Sequence, residues 1–275
     1  MERKRKQHII ITVYAIIIAL FLSWIYFAFL KAPEVCTDGI QNQNETAIDC
    51  GGVCGACAVV LPAQPLEVME KSIVYGGPSQ HDVLIKIHNP NDNYGASKFS
   101  YTTTLKDASG AVVASKTSTS FILPKETKYL VQVGLETSAT PVLAELSIEN
   151  AIEWQSFTGF KESPDITIGH KQYGPVPSGV GFGQAVGTLV NQSNFDFQVI
   201  HVKVVLRDSA GKPLAVNSTE MRTVIADERR DVGPLIFPSY FPGDVASVEM
   251  EPEADMYHSE NFIKQYLPGG DFQRL

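Results

Sequence analysis

The sequence predicts a mainly β protein: an N-terminal transmembrane helix, a short disulfide-rich module, and two tandem immunoglobulin-like antiparallel β-sandwiches. Three observations carry this. One uncharged apolar run lies near the N-terminus, all four cysteines fall within 22 residues, and the following 190 or so residues repeat at a period near 100 with strand alternation.

The apolar run, Ile9 to Leu30, holds 22 residues without a charge. At 1.5 Å per residue it reaches about 33 Å, enough for a hydrocarbon core of roughly 30 Å. Arg3, Lys4, Arg5 and Lys6 precede it, so residues 1–8 form a cytoplasmic basic tail and the chain after residue 30 lies outside the cytoplasm. A cleaved signal peptide fits less well. Its apolar region is normally shorter and ends in a small-x-small site, whereas here Leu30 and Lys31 precede Ala32 and Pro33. The expected location is therefore a single-pass anchor in the cell membrane.

Beyond residue 8 the chain has 18 basic against 29 acidic side chains, a formal charge of −11. Phosphate backbones are neutralised by clustered Lys and Arg, so an acidic body excludes nucleic-acid binding.

Residues 31–65 form the cysteine module and a linker. The string CTDGIQNQNETAIDCGGVCGAC (36–57) contains few large apolar residues and cannot bury a core of its own. An even cysteine count beyond an export signal predicts two disulfides among Cys36, Cys50, Cys54 and Cys57, with three connectivities open. Zinc is the alternative, since Cys54 and Cys57 have ligand spacing; Cys36 and Cys50 do not. No cofactor is expected beyond calcium as an option. Asp38, Asn42, Glu45 and Asp49 offer hard oxygen ligands, although not at EF-hand spacing. The pattern C-x-D-G-x-x-N-x-x-E-x-x-x-D-C-G-G-x-C-x-x-C resembles a short cysteine module of prokaryotic cell-surface proteins, a resemblance that implies no activity.

Five segments then recur in order. Tyr75-Gly76 returns at 173, HNPN (88–91) as VNQS (190–193), LKDASG (105–110) as LRDSAG (206–211), ILPKE (122–126) as VIADE (224–228), and LSIE (146–149) as ASVE (246–249). The offsets are 98, 102, 101, 102 and 100. Within them Phe99, Tyr101, Thr103 and Leu105 alternate with Ser100, Thr102, Thr104 and Lys106. The second copy places Ile200, Val202, Val204 and Leu206 on the first face, and His201, Lys203, Val205 and Arg207 on the other. Period-2 patterning of this kind predicts half-buried strands, with sandwiches over 66–155 and 156–252 and a tail at 253–275. Val202→Asp is then expected to unfold the second copy, while Lys203→Asp on the outward face should cost little.

Each copy resembles the FxLYD domains, extracytoplasmic sandwich modules related in shape to the late-embryogenesis-abundant, water-stress fold. The shared features are the Asn-rich turn after an early strand and the long strand ending Leu-x-Asp before a small-x-Gly turn. Thr103 and Lys106, then Val204 and Arg207, stand where that pattern has Phe and Tyr. The resemblance implies a fold and carries no catalytic residues.

No nucleophile, zinc-protease or phosphate-loop motif is present, and the glycines at 179, 181 and 183 lead into a strand pattern instead of a helix. The expected function is a membrane-tethered, non-enzymatic protein whose sandwiches bind another envelope protein or act as a spacer. The alternative is a small-molecule or glycan-binding accessory subunit of an envelope enzyme or transport complex. Partner contact is expected at the loops carrying Asn91, Tyr94, Asn191 and Phe195.

Overall fold

A computed structural model describes residues 2–27, 36, 41, 44, 45, 49–54, 63–149, 152–157, 160 and 163–266. The chain divides into two compact units, Met1–Pro62 and Ala63–Leu275.

In the first unit, helix α1 (Glu2–Ile25) begins ahead of the apolar run and takes in the basic residues. Its stretch Arg5–Ile25 is long and apolar enough to cross a membrane, and none of that window is buried in protein. A helix that is apolar all round and covered by nothing is suited to lipid. The cysteine module is closed by Cys36–Cys54, with Cα atoms 5.3 Å apart. Cys50 is also disulfide-bonded, and Cys57 lies outside the described residues. In the chain-entropy model a loop of this length contributes about 3 kcal/mol.

In the second unit the duplication is visible strand by strand. The first repeat contains β1 (Glu67–Gly77), β2 (Gln80–His88), β3 (Tyr94–Lys106), β4 (Val112–Ile122), β5 (Thr127–Glu136), β6 (Leu143–Ile148) and a short β7 (Gln155–Ser156). The second contains β8 (Ile166–Gly174), β9 (Gly183–Asn191), β10 (Phe197–Arg207), β11 (Pro213–Val224), β12 (Arg229–Phe237) and β13 (Ser247–Ala254). The first repeat forms sheets β1-β2-β5 and β4-β3-β6, and the second forms β8-β9-β12 and β11-β10-β13 in the same order. Facing sheets share one core. Val83, Ile85 and Leu130 meet Phe99, Tyr101 and Leu105 in the first repeat. Leu189, Val232 and Leu235 meet Ile200, Val202 and Leu206 in the second. The expected core residues Phe99, Tyr101 and Leu105, and Ile200, Val202 and Leu206, are all buried.

The turns repeat down to single hydrogen bonds. Asp107 Oδ1 accepts from the backbone N–H of Ser109 and Ala111, and Asp208 Oδ1 from Ala210 and Lys212, at 2.8–3.0 Å. Gly110 and Gly211 then turn through φ of 83° and 79°, where a side chain would be strained. Lys125 and Asp227, both at φ 58°, occupy matching left-handed positions before the next strand.

Asn89 and Asn191 are fully buried pins. Asn89 Nδ2 donates to the carbonyls of Tyr94 and Leu123 at 2.7 and 2.8 Å. Asn191 Nδ2 does the same to Phe195 and Ile225 at 2.9 and 2.8 Å. Their Oδ1 atoms accept from the backbone N–H of Asn91 and Ser193, both at 3.1 Å. Each amide side chain thus ties two loops together where no strand ladder reaches.

Two expectations need correction. The last match, LSIE with ASVE, is out of register. Val142 N–H donates to Lys106 O and Ala246 N–H to Arg207 O, both at 2.8 Å, so β6 and β13 correspond at an offset of 104. The preceding strands correspond at an offset of 102, so two extra residues between the start of β12 and β13 hid this shift. Residues 253–266 are also no tail, and 267–275 lie outside the described residues. β13 runs to Ala254, a 3-10 turn spans Met256–His258, and helix α2 (Glu260–Tyr266) buries Phe262 completely. Phe262 makes edge-to-face or tilted ring contacts with Phe157, Phe160, Phe195 and Tyr266, while Tyr257 donates to Ile122 O at 2.9 Å. Gly95 makes room for it, since a Cβ there would stand 2.3 Å from the Tyr257 hydroxyl.

Thr103 is the core position of the first repeat where the second has Val204. It is wholly buried, and its Oγ1 has no hydrogen-bond partner among the described residues. Thr103→Val should therefore hold or raise stability, by about 1 kcal/mol. Asn191→Ala should cost about 2–4 kcal/mol, because it strands two carbonyls and the Ser193 N–H. Urea unfolding of the two variants tests both, and equal destabilisation would contradict the assignment.

Candidate functional site

The strongest concentration of chemistry in the second unit lies where the two repeats meet. Strand β10 is buried on both faces. Ile200, Val202, Val204 and Leu206 enter its own core, while Lys203, Val205 and Arg207 face the first repeat and are 8%, 1% and 8% exposed. Val205 and Val216 form an apolar cluster with Val74, Leu84 and Tyr129 across the seam.

Around this cluster the charges are paired. Lys203 Nζ contacts the Glu253 carboxylate and donates to Tyr129 O, with Glu251 3.9 Å away. Lys128 Nζ contacts the other oxygen of Glu253, donates to Phe121 O at 2.7 Å, and stands 3.7 Å from the centre of the Phe121 ring. Tyr129 N–H donates to Glu251 Oε1 at 2.9 Å. Farther along, Arg207 makes a bidentate pair with Glu70 at 3.0 and 2.9 Å, and its Nε donates to Glu249 at 2.9 Å. The Tyr129 hydroxyl bridges them, donating to Glu249 at 2.8 Å and accepting from Arg207 at 3.0 Å.

Burial by itself would lift the Glu253 carboxyl, but Lys128 and Lys203 outweigh it and hold the group at about 2. Burial raises Glu251 and Glu126 above the usual carboxylate range and lowers Lys203. Burial, reinforced by Glu249, takes the Tyr129 hydroxyl up to about 12. For Glu70 the Arg207 hydrogen bond dominates and pulls the carboxyl down. Ion pairs this deep are costly to desolvate, and removing one partner leaves an uncompensated charge.

Beside the network lies a cleft of about 420 Å3, with Lys203 and Glu253 among its walls and Tyr101, Phe121 and His201 around it. His258 Nδ1 lies 2.7 Å from Asp255, and His201 Nδ1 lies 3.8 Å from Glu220. The buried lysines and glutamates are engaged with one another, which leaves Lys98, exposed on the cleft wall, as its available cation.

The residues predicted to bind partners are mostly structural. Asn91, Asn191 and Phe195 are buried, and Tyr94 is half-buried at the start of β3. They fasten loops to the body, because an Asn in a turn finds its partners in neighbouring backbone. In the cysteine module Glu45 is buried and its Oε2 accepts from Asp49 N–H at 3.2 Å. Asp38 and Asn42 lie outside the described residues. Cys36, Cys54 and Glu45 have ligand atoms within 4.8 Å of one another, but the two sulfurs are bonded to each other. That excludes a zinc site built on free Cys36 and Cys54 thiolates.

No protein-family model matches the chain, and no curated protein matches its sequence.

Lys203 is where the sequence reading failed. One signal was present: strand β13 reads Glu249-Met250-Glu251-Pro252-Glu253, placing acids on one face opposite Val205, Lys203 and His201. Lys203→Asp, expected to be harmless, should instead cost about 3–5 kcal/mol and rival Val202→Asp, since it adds an acid to three others. Lys203→Met should cost less, because Lys128 still pairs Glu253. Chemical denaturation of the three variants decides this.

Asp82 supplies a pH test. It is 7% exposed and accepts from Gly134 N–H at 2.7 Å, yet burial pushes its carboxyl up to about 6. A raised carboxyl favours the protonated fold, so its stabilisation is complete below pH 4 and disappears as pH rises through 6. Asp82→Asn should stabilise the protein by up to about 3 kcal/mol at pH 8 and have no effect at pH 4. Melting curves at the two pH values read this directly.

Proposed function

We propose that the chain is a single-pass, membrane-anchored extracytoplasmic protein without catalytic activity. Its paired immunoglobulin-like sandwiches act as one rigid interaction module or spacer in the cell envelope. The observation that carries this reading is the seam. Buried ion pairs contribute little net stability but specify one geometry, and here they hold two repeats in a single arrangement. Fixed geometry matters to a protein that presents a surface at a defined place. The exposed apolar helix preceded by Arg and Lys supports the tether and its orientation. The duplicated repeats support kinship with the FxLYD type of module, and the cysteine segment supports a surface location.

The cleft of about 420 Å3 favours a second reading, an accessory subunit that holds a small polar ligand or glycan between the repeats.

Protease added to spheroplasts should digest residues 31–275 and spare a tag on residues 1–8. Affinity capture from solubilised membranes should recover a defined envelope protein. A mature chain beginning near Pro33, or capture of nothing above background, would remove the tethered-adapter reading.

A further inference from the structure

One side of the first repeat is open. Strands β1 and β6 are both edges, β1 pairing only with β2 and β6 only with β3 among the described residues. Between them runs a groove of about 560 Å3, closed off by Lys212, Pro213, Leu214 and Pro242 of the second repeat. It lies toward the 77–80 hairpin, at the far end of β1 from Gln64, which is tied to Asn91.

The groove mixes basic and apolar side chains. Tyr75, Val142 and Leu143 line it at 45%, 61% and 46% exposure. Along β1 the lining residues are Lys71, Ile73, Val74 and Tyr75, so the groove follows the outer edge of an extended strand. Its charge is opposite to that of the protein. Lys71 and Lys212 line the groove, and neither side chain has an ion pair or hydrogen bond among the described residues. His81, the remaining titratable nitrogen, is hydrogen-bonded to Thr137 Oγ1 at 2.9 Å, and burial lowers its pKa, favouring the neutral ring. Two unpaired cations beside exposed apolar side chains stand out in a chain whose residues beyond 8 carry −11.

We propose that this groove receives an extended acidic segment of a partner protein, laid beside the β1 edge. Alternate apolar side chains enter the groove, and its carboxylates meet Lys71 and Lys212. Main-chain pairing to a free edge supplies affinity, while the lysines and the pocket supply selectivity. This rests on the interaction-module reading and names the class of partner it would bind.

The test is selection of a displayed random dodecapeptide library on the full chain in detergent, with Lys71→Glu/Lys212→Glu as the counter-target. The proposal expects enriched peptides with net negative charge and alternating apolar residues. Their affinity should fall at least tenfold on the double variant, and a photo-crosslinker at Val142 should capture them. Neutral or basic winners, or equal binding to both proteins, would overturn it. Binding of anionic vesicles that the double variant loses, with no acidic peptide selected, would also overturn it in favour of a lipid surface. Cooperative melting of the double variant confirms that loss of binding is not loss of fold. Membrane capture that persists when peptide selection fails would leave the adapter reading standing and move the interface elsewhere.

Discussion

The second unit depends on one arrangement of charge. Glu253 sits between Lys128 of the first repeat and Lys203 of the second, and all three are buried. None of these groups could be there alone, since an isolated charge at this depth costs several kcal/mol. Lys128 completes a pattern that each repeat contains. Its Nζ reaches the Phe121 carbonyl at the end of β4, as Arg230 reaches the Arg222 and Thr223 carbonyls at the end of β11. The difference lies in what covers it. Lys128 is roofed by Glu253, whereas Arg230 is half-exposed and pairs within its own repeat with Glu228.

The two repeats have diverged along this line. The first retains Lys106–Glu145 at 2.7 Å where the second has Arg207–Glu249, but Thr102 and Thr104 stand in place of Lys203 and Val205. That face of the first repeat is polar and covered by nothing among the described residues. At the other extreme, Tyr129 opposite Lys86 in the first repeat becomes Asp231 opposite Thr188 in the second. The second repeat therefore lacks the aromatic anchor on which a third could dock.

The lock has consequences for the groove between β1 and β6. Its far wall, Lys212–Leu214, joins the turn after β10 to the start of β11, and β10 is the strand that carries Lys203, Val205 and Arg207. Holding that strand against the first repeat also sets the width of the groove. The Arg207–Glu70 pair, with Arg207 NH1 also donating to Gly211 O at 2.9 Å, ties this turn directly to β1.

Much of this was legible in the linear chain. Alternation at 99–105 and 200–206, Asp and Gly at the turns, and the apolar run near the N-terminus each depend on neighbours a few residues away, so sequence suffices to read them. The six core positions followed from parity alone. Three features required the folded chain. A seven-residue helix is too short to show a period, and α2 exists because Phe262 finds Phe157 and Phe195. Asn91 and Asn191 look like exposed turn residues until the carbonyls and N–H groups they satisfy are brought around them. Lys203 occupies a strand position that patterning assigns to solvent, and only the docking of one repeat on the other buries it. Local chemistry determined the strands, turns and anchor; the pairing of Lys128, Lys203 and Glu253, contributed by β5, β10 and β13, was decided by tertiary packing, because a buried charge is stable only where its counter-charge arrives with it.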